Sequence, residues 1–239
     1  MILQSLYKSW LHLSFPGKCL HCQSALPPDT PVLCSECNSL LDLIDPDKHC
    51  PTCFSPTIYY PMPCEECIHI PSLYTRVAAA FDYQGPAATL VKRLKYSNQP
   101  YLSKGMAAYL MLQFDRLQWP HPDAIVPIPI SFTHWLSRGY NQTTLLANEL
   151  SQYLRCPVWH AVKRKSGDFS QAALKMEQRK ALDGKRFKRN KKYSLSGKIL
   201  LVIDDVMTTG LTLHRCAESL SEANPAAIYA LSFCKTQKD

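Results

Sequence analysis

No apolar run among the 239 residues approaches the ~20 that a membrane span requires, so no transmembrane segment is expected. There is no Gly-Lys-Ser/Thr triplet, which excludes the phosphate loop of nucleoside triphosphatases. The stretch before Pro16 lacks the basic flank and small-residue cleavage site of a secretory signal. With Ile2, Leu3, Leu6, Trp10 and Leu13 at helical spacing, it reads instead as a short amphipathic helix. Its polar face lacks the basic residues of interfacial helices, which favours docking on the protein itself. A cytoplasmic setting is the expectation. Acidic residues are scarce, 19 against 27 Lys and Arg, for a net charge of +8. That excess is concentrated: residues 1–75 carry three Lys/Arg against seven Asp/Glu, whereas residues 155–198 carry fourteen against three.

Cysteine, by contrast, is abundant. Eight of the eleven form Cys-x-x-Cys pairs, Cys19/Cys22, Cys34/Cys37, Cys50/Cys53 and Cys64/Cys67, separated by eleven, twelve and ten residues. Two thiolates two residues apart grip one metal from a single turn, and two such pairs complete a tetrahedral site, so four pairs predict two zinc ions. Disulfides suit an oxidising compartment that nothing here indicates, and a redox pair occurs once rather than four times. Pairing first with second and third with fourth gives consecutive ribbons, and first with third gives a cross-braced module; short loops between neighbours favour the former. Four thiolates leave no open coordination position, so the role is structural. His21, His49 and His69 are expected outside the shells, and Cys156, Cys216 and Cys234 in the core.

The second informative stretch is Ile199-Leu-Leu-Val-Ile-Asp-Asp-Val-Met-Thr-Thr-Gly-Leu-Thr-Leu213. Five apolar residues without alternation suit a parallel strand covered on both faces, and ligands of such sheets sit beyond the strands' carboxyl ends. Asp204 and Asp205 stand at that end. Val206, Met207, Thr208, Thr209, Gly210, Leu211 and Thr212 then form a turn into a helix, whose free N–H groups and positive dipole end attract an anion. Carboxylates beside a cradle for one phosphate suit a sugar phosphate, with the acids on ribose hydroxyls and the turn on the 5′-phosphate.

The Val202–Gly210 stretch closely resembles the phosphoribosyl pyrophosphate (PRPP) loop of type I phosphoribosyltransferases. The narrower resemblance is to the ComF family of competence proteins, which join a cysteine-rich zinc module to such a domain. Its other carriers are the cysteine pairs, Leu94-Lys-Tyr96, and Arg138-Gly-Tyr-Asn-Gln142, where the family has Phe for Tyr140. The resemblance implies an α/β fold, a mainly parallel sheet flanked by helices, after a small double zinc-ribbon module. It implies PRPP bound with magnesium, Asp204 and Asp205 as the catalytic carboxylates, Arg138 as a pyrophosphate clamp, and a role with DNA-uptake machinery in transformation. A flexible loop is implied around residues 163–179, although Leu182 stands where the family tends to carry Asn.

The rest of the chain fits. Residues 1–72 are expected to form the N-terminal helix and zinc module, and 73–239 the transferase-like domain. Strands are expected at 76–83, 123–130, 156–162, 199–205 and 225–233, with helices at 87–96, 102–117 and around Leu145, Leu146 and Leu150. In the basic block, Lys163, Arg164, Lys165, Lys185, Arg186, Lys188, Arg189, Lys191 and Lys192 are interleaved with Phe169, Phe187 and Tyr193. Cations that track a phosphate backbone, with aromatics that stack on bases, suit single-stranded DNA, and no helix-turn-helix argues for duplex reading. Three functions stand: a PRPP- and DNA-binding competence factor, an active salvage phosphoribosyltransferase, or a zinc-linked scaffold with a relict site.

Overall fold

The computed structural model describes residues 17–27, 32–69, 72–164 and 187–237. The predicted N-terminal helix, and the flexible-loop residues from Lys165 to Arg186, lie outside them. A parallel sheet forms the framework: β1 (Arg76–Asp82), β2 (Ala124–Pro127), β5 (Ile199–Met207) and β6 (Ala227–Lys235), ordered β1-β6-β5-β2. Between them run α3 (Gly85–Tyr96), α4 (Leu102–Leu117), the short α5 (Phe132–Arg138), α6 (Gln142–Leu154) and α7 (Leu211–Ser221). A separate antiparallel pair joins β3 (Val162–Arg164) to β4 (Phe187–Arg189). The cysteine module contributes two short helices, α1 (Ser35–Ser39) and α2 (Glu65–His69).

Period-two alternation sorts the strand residues between two cores. Leu201 and Ile203 of β5 join Ile125, Leu231 and Phe233 under α3, α4 and α6. Leu200 and Val202 join Val126, Ile228 and Ala230 under α7 and the β3–β4 pair. Both faces are therefore covered, and the unalternated apolar run of β5 follows from that. The first core also takes Cys19, Leu26, Leu33, Cys37, Ile44 and Phe54 from the cysteine module. Backbone bonds reinforce this: Ile44 N–H donates to Ala80 C=O and Val77 N–H to Thr52 C=O. Gln113 Nε2, from α4, donates to both Ile44 and Ala79 C=O.

One strand expectation needs correction. Residues 156–162 do not form a continuous strand; Val158 alone bridges to Ile125. Ile125 N–H donates to Pro157 C=O and Ile125 C=O accepts the Trp159 N–H, the two bonds of one parallel bridge; two residues on, Pro127 has no N–H to continue the ladder. The chain then turns and enters β3 only at Val162. Cys156, Cys216 and Cys234 are buried, as expected of core thiols.

Candidate functional site

At the carboxyl end of β5, Asp204 is 7% and Asp205 4% exposed. Asp204 Oδ1 accepts the Asp205 N–H at 2.8 Å. Burial first, and then the adjacent Asp205 carboxylate, raise the Asp204 carboxyl to about 8. Asp205 Oδ1 meets Lys95 Nζ at 2.9 Å, whereas its Oδ2 is buried without a hydrogen-bond partner. Lys95 lies in the last turn of α3 with its side chain 18% exposed.

The next residue, Tyr96, carries the Arg138 guanidinium over its ring, 5.1 Å from the centroid. Arg138 ends α5, and Gly139 closes that helix at φ +77°, a left-handed conformation that glycine takes without strain. Arg138 donates to Gln142 Oε1 at 2.9 Å. Asn141 caps α6, accepting the Thr143 N–H, and donates to Ile128 C=O. Burial, and then the charges of Arg138, Arg164 and Lys95, lower the pKa of His134.

Beyond Met207 the chain turns through the exposed Thr208 and Thr209 to Gly210 at φ +74°, then enters α7. No side chain of Gly210 can cap that helix; only Thr209 Oγ1 approaches, 3.4 Å from Leu211 N. The start of α7 thus presents the uncapped N–H groups and positive dipole end that suit an anion. Residues 207–211 line a cleft of about 620 Å³ whose opposite wall includes Thr52, Cys53, Ser55 and Glu66 of the cysteine module. Tyr74, also in the lining, fixes the first turn of α7 by donating to Leu213 C=O at 2.6 Å. A larger cavity, about 1160 Å³, lies elsewhere, between the first cysteine quartet and α4.

The cysteines gather in consecutive order. Cys19, Cys22, Cys34 and Cys37 form one quartet and Cys50, Cys53, Cys64 and Cys67 the other, each with all sulfurs within 4.8 Å of one another. Cys22–Cys34 and Cys53–Cys64 sulfurs are 3.7 Å apart. Four sulfurs at a zinc–sulfur distance of about 2.3 Å stand roughly 3.8 Å apart, so either quartet could hold zinc. Burial opposes ionisation of Cys19, but N–H groups of Cys34, Cys22 and His21 outweigh it and bring the thiol down to about 6. Cys50 falls to about 7 against the same opposition, through N–H groups of Cys53, Cys64 and Thr52. Cys37 and Cys67 are pushed up, by burial first and by neighbouring cysteines next.

Of the predicted basic residues, Lys163 and Arg164 lie on β3, Lys188 and Arg189 on β4, and Lys191 and Lys192 just beyond. Lys163 and Lys188 are exposed and directly paired across the ladder. Phe187 is buried in the core beneath α7 and is withdrawn as a base-stacking residue. Tyr193 stacks on Trp159, ring centroids 5.5 Å apart. Lys165, Lys185, Arg186 and Phe169 lie outside the described residues.

Lys95 is a site residue that the sequence did not assign to the acid pair. Its signal was present in Leu94-Lys-Tyr96, but only the fold carries the end of α3 to the end of β5. The cleft wall from the cysteine module was equally unforeseen, because a structural metal knuckle gives no sequence sign of what it faces.

A doubly covered parallel sheet, with paired carboxylates and an uncapped helix start at one strand's carboxyl end, defines a phosphoribosyltransferase-type fold. Residues 141–238 match the phosphoribosyl transferase domain family. The DNA utilization protein YhgH of Escherichia coli K12 is 30% identical over 232 residues, 94% of this chain and 99% of that one. Competence protein F of Haemophilus influenzae is 29% identical over 213 residues, 86% of this chain and 91% of that one. The chain belongs to the ComF family of competence proteins. Among solved structures, the glutamine PRPP amidotransferase of B. subtilis complexed with ADP and GMP aligns with TM-score 0.43 and 12% identity, covering 59% of this chain and 30% of that one.

Proposed function

We propose that this chain binds PRPP with magnesium at the carboxyl end of β5 and single-stranded DNA along the β3–β4 hairpin, acting in DNA uptake during natural transformation. The observation that carries the ligand assignment is the meeting, at the end of one buried strand, of Asp204 and Asp205 with the uncapped start of α7. In this reading the carboxylates take ribose hydroxyls, and Val206, Met207, Thr208, Thr209, Gly210, Leu211 and Thr212 surround the 5′-phosphate. The buried, unpartnered Asp205 Oδ2 supports it, being an acceptor short of a donor of the kind that a sugar hydroxyl supplies.

Arg138 holds the pyrophosphate end, a planar guanidinium matching phosphate bidentately. Magnesium bound with PRPP would neutralise part of the charge on its phosphates. Should transfer follow, ribose C1 gains oxocarbenium character as pyrophosphate departs, and the two carboxylates stabilise that charge. Zinc in the two quartets is structural, stabilising a module at residues 1–72 that has little core of its own beside a transferase-like unit at 73–239. The names of the relatives, competence and DNA utilization, support a nucleic-acid role. So does the register of Lys163 against Lys188: like charges directly opposite repel each other, and a polyanion relieves that repulsion.

Calorimetry with PRPP and magnesium tests the assignment. Wild type should bind, and an Asp204→Ala/Asp205→Ala variant should bind roughly 100-fold more weakly, the equivalent of about two charge-assisted hydrogen bonds. Equal affinities refute the site. Adding single-stranded DNA and then a panel of nucleobases, while following pyrophosphate release, separates a binding role from salvage catalysis.

A further inference from the structure

We infer that Lys95 is a built-in counter-cation: it closes the acid pair while no ligand is present, and its removal turns that pair into a divalent-cation site. The inference rests on the proposed function only for the identity of the ligand; the geometry stands apart from it.

Asp204 and Asp205 are adjacent, and each is more than nine-tenths buried. Two carboxylates in so dry a place require either a cation or a proton between them. Lys95 supplies the cation, its Nζ 2.9 Å from Asp205 Oδ1. Nor is it a mobile surface lysine that happens to reach an acid. Its side chain is 18% exposed, and the preceding carbonyl, of Leu94, accepts the Tyr140 hydroxyl at 2.6 Å, which ties the end of α3 to the segment between α5 and α6.

Compensation is nevertheless incomplete. Asp205 Oδ2 is buried and receives no hydrogen bond, so that carboxylate still lacks a donor or cation on one of its oxygens. A divalent ion approaching Asp205 must displace the ammonium or coordinate beside it, at the cost of placing like charges together. Lys95 therefore keeps free divalent ions off the pair, and a ligand that brings its own hydroxyls engages Oδ2 without that conflict. Tyr96, the residue after Lys95, carries the Arg138 guanidinium over its ring, so an ammonium released from Asp205 stays near a second cation suited to a ligand's anionic end.

The test uses the zinc-loaded full chain without PRPP, titrated with Mn²⁺ while free Mn²⁺ is read by electron paramagnetic resonance. Thiolates hold zinc in preference to manganese, so the quartets do not contribute. Lys95→Met keeps the length and apolar stem but loses the charge; it should gain one Mn²⁺ site at least about tenfold tighter than any in wild type, the factor one unit of lost competition corresponds to. Lys95→Gln should do the same, which guards against a folding defect peculiar to Met, and circular dichroism checks each variant. Lys95→Arg should stay at the wild-type level, and Lys95→Met/Asp205→Asn should lose the gain. Folded Met and Gln variants that bind Mn²⁺ no more tightly than wild type overturn the inference, as does a gain that survives Asp205→Asn. Failure of PRPP to bind by calorimetry, with the Mn²⁺ gain intact, would sink the proposed function and leave the counter-cation standing.

Discussion

In each cysteine quartet four thiols lie within 4.8 Å of one another, and at the end of β5 two carboxylates stand side by side in a buried place. Both regions concentrate groups that resist ionising together, but they relieve the crowding differently. Sulfurs of Cys19, Cys34 and Cys50 receive backbone N–H groups, from Cys34, Cys37 and Cys64 respectively. Those donors belong to the turns themselves and cannot leave. Asp205 is met by Lys95, a side chain from another element, which can. The first arrangement suits an ion that stays for the life of the fold, and the second a ligand that comes and goes.

Removing one thiol should show the larger effect. Cys50→Ser is expected to lose one of two zinc equivalents by metal analysis and to lower the melting temperature by about 10 °C or more, since each ~1 kcal/mol moves a chain of this size by about 2–4 °C. Because Ile44 and Phe54 of the same module sit in the core shared with the sheet, a single lowered transition is expected rather than a separate early one. An independent early transition, with the main one unmoved, would show that the quartets stabilise only themselves.

Crowding of the opposite sign occurs on the hairpin, where lysines face each other. For single-stranded DNA, log affinity should fall against log salt with a slope near −0.7 per phosphate neutralised. Substituting Lys188, Arg189, Lys191 and Lys192 with Gln should flatten that slope by up to about 3 and leave zinc content unchanged. Unaltered slope and affinity would move the binding surface elsewhere.

The smallest effect concerns the proton on Asp204. Folded, this carboxyl holds its proton up to about 8, against an ordinary value of 3.8. Across that window the folded chain binds more protons than the unfolded one, so its contribution to stability is full below about pH 4 and is lost as pH rises toward 8. Denaturant melts at stepped pH should show wild type losing stability relative to Asp204→Asn by at most about 1.4 kcal/mol per unit. Parallel curves for the two proteins would mean that Lys95 compensates both acids, and the contrast with the thiols would weaken.

Much of this was legible in residues alone, for identifiable reasons. β5 announced itself because a strand buried on both faces needs an unbroken apolar run, and α4 because its Leu, Met and Phe positions repeat at helical spacing over Leu102–Leu117. The four cysteine pairs were legible from their spacing, whereas spacing leaves their consecutive grouping open between two arrangements, with short loops and the family resemblance on its side. Residues 156–162 misled because Val and Trp favour strands, while the partner strand lacks an N–H at Pro127 to carry the ladder past Val158. Phe187 misled because its basic neighbours concealed that its own side of β4 faces α7. Lys95 escaped notice because no local pattern separates a lysine bound for solvent from one that crosses to another element's carboxylate.

Among the described residues the sheet order leaves β1 with one hydrogen-bonded neighbour strand, β6. A strand in that position ordinarily offers a template on which another molecule can add a strand of its own. Here Thr52 and Ile44 of the cysteine module, and the Gln113 amide, engage polar groups of Val77, Ala80 and Ala79 along β1. The module is therefore also an edge guard. By occupying part of the sheet's terminal strand it protects the transferase-type fold against strand-by-strand self-association, a service that depends on where the knuckles rest rather than on any metal they bind.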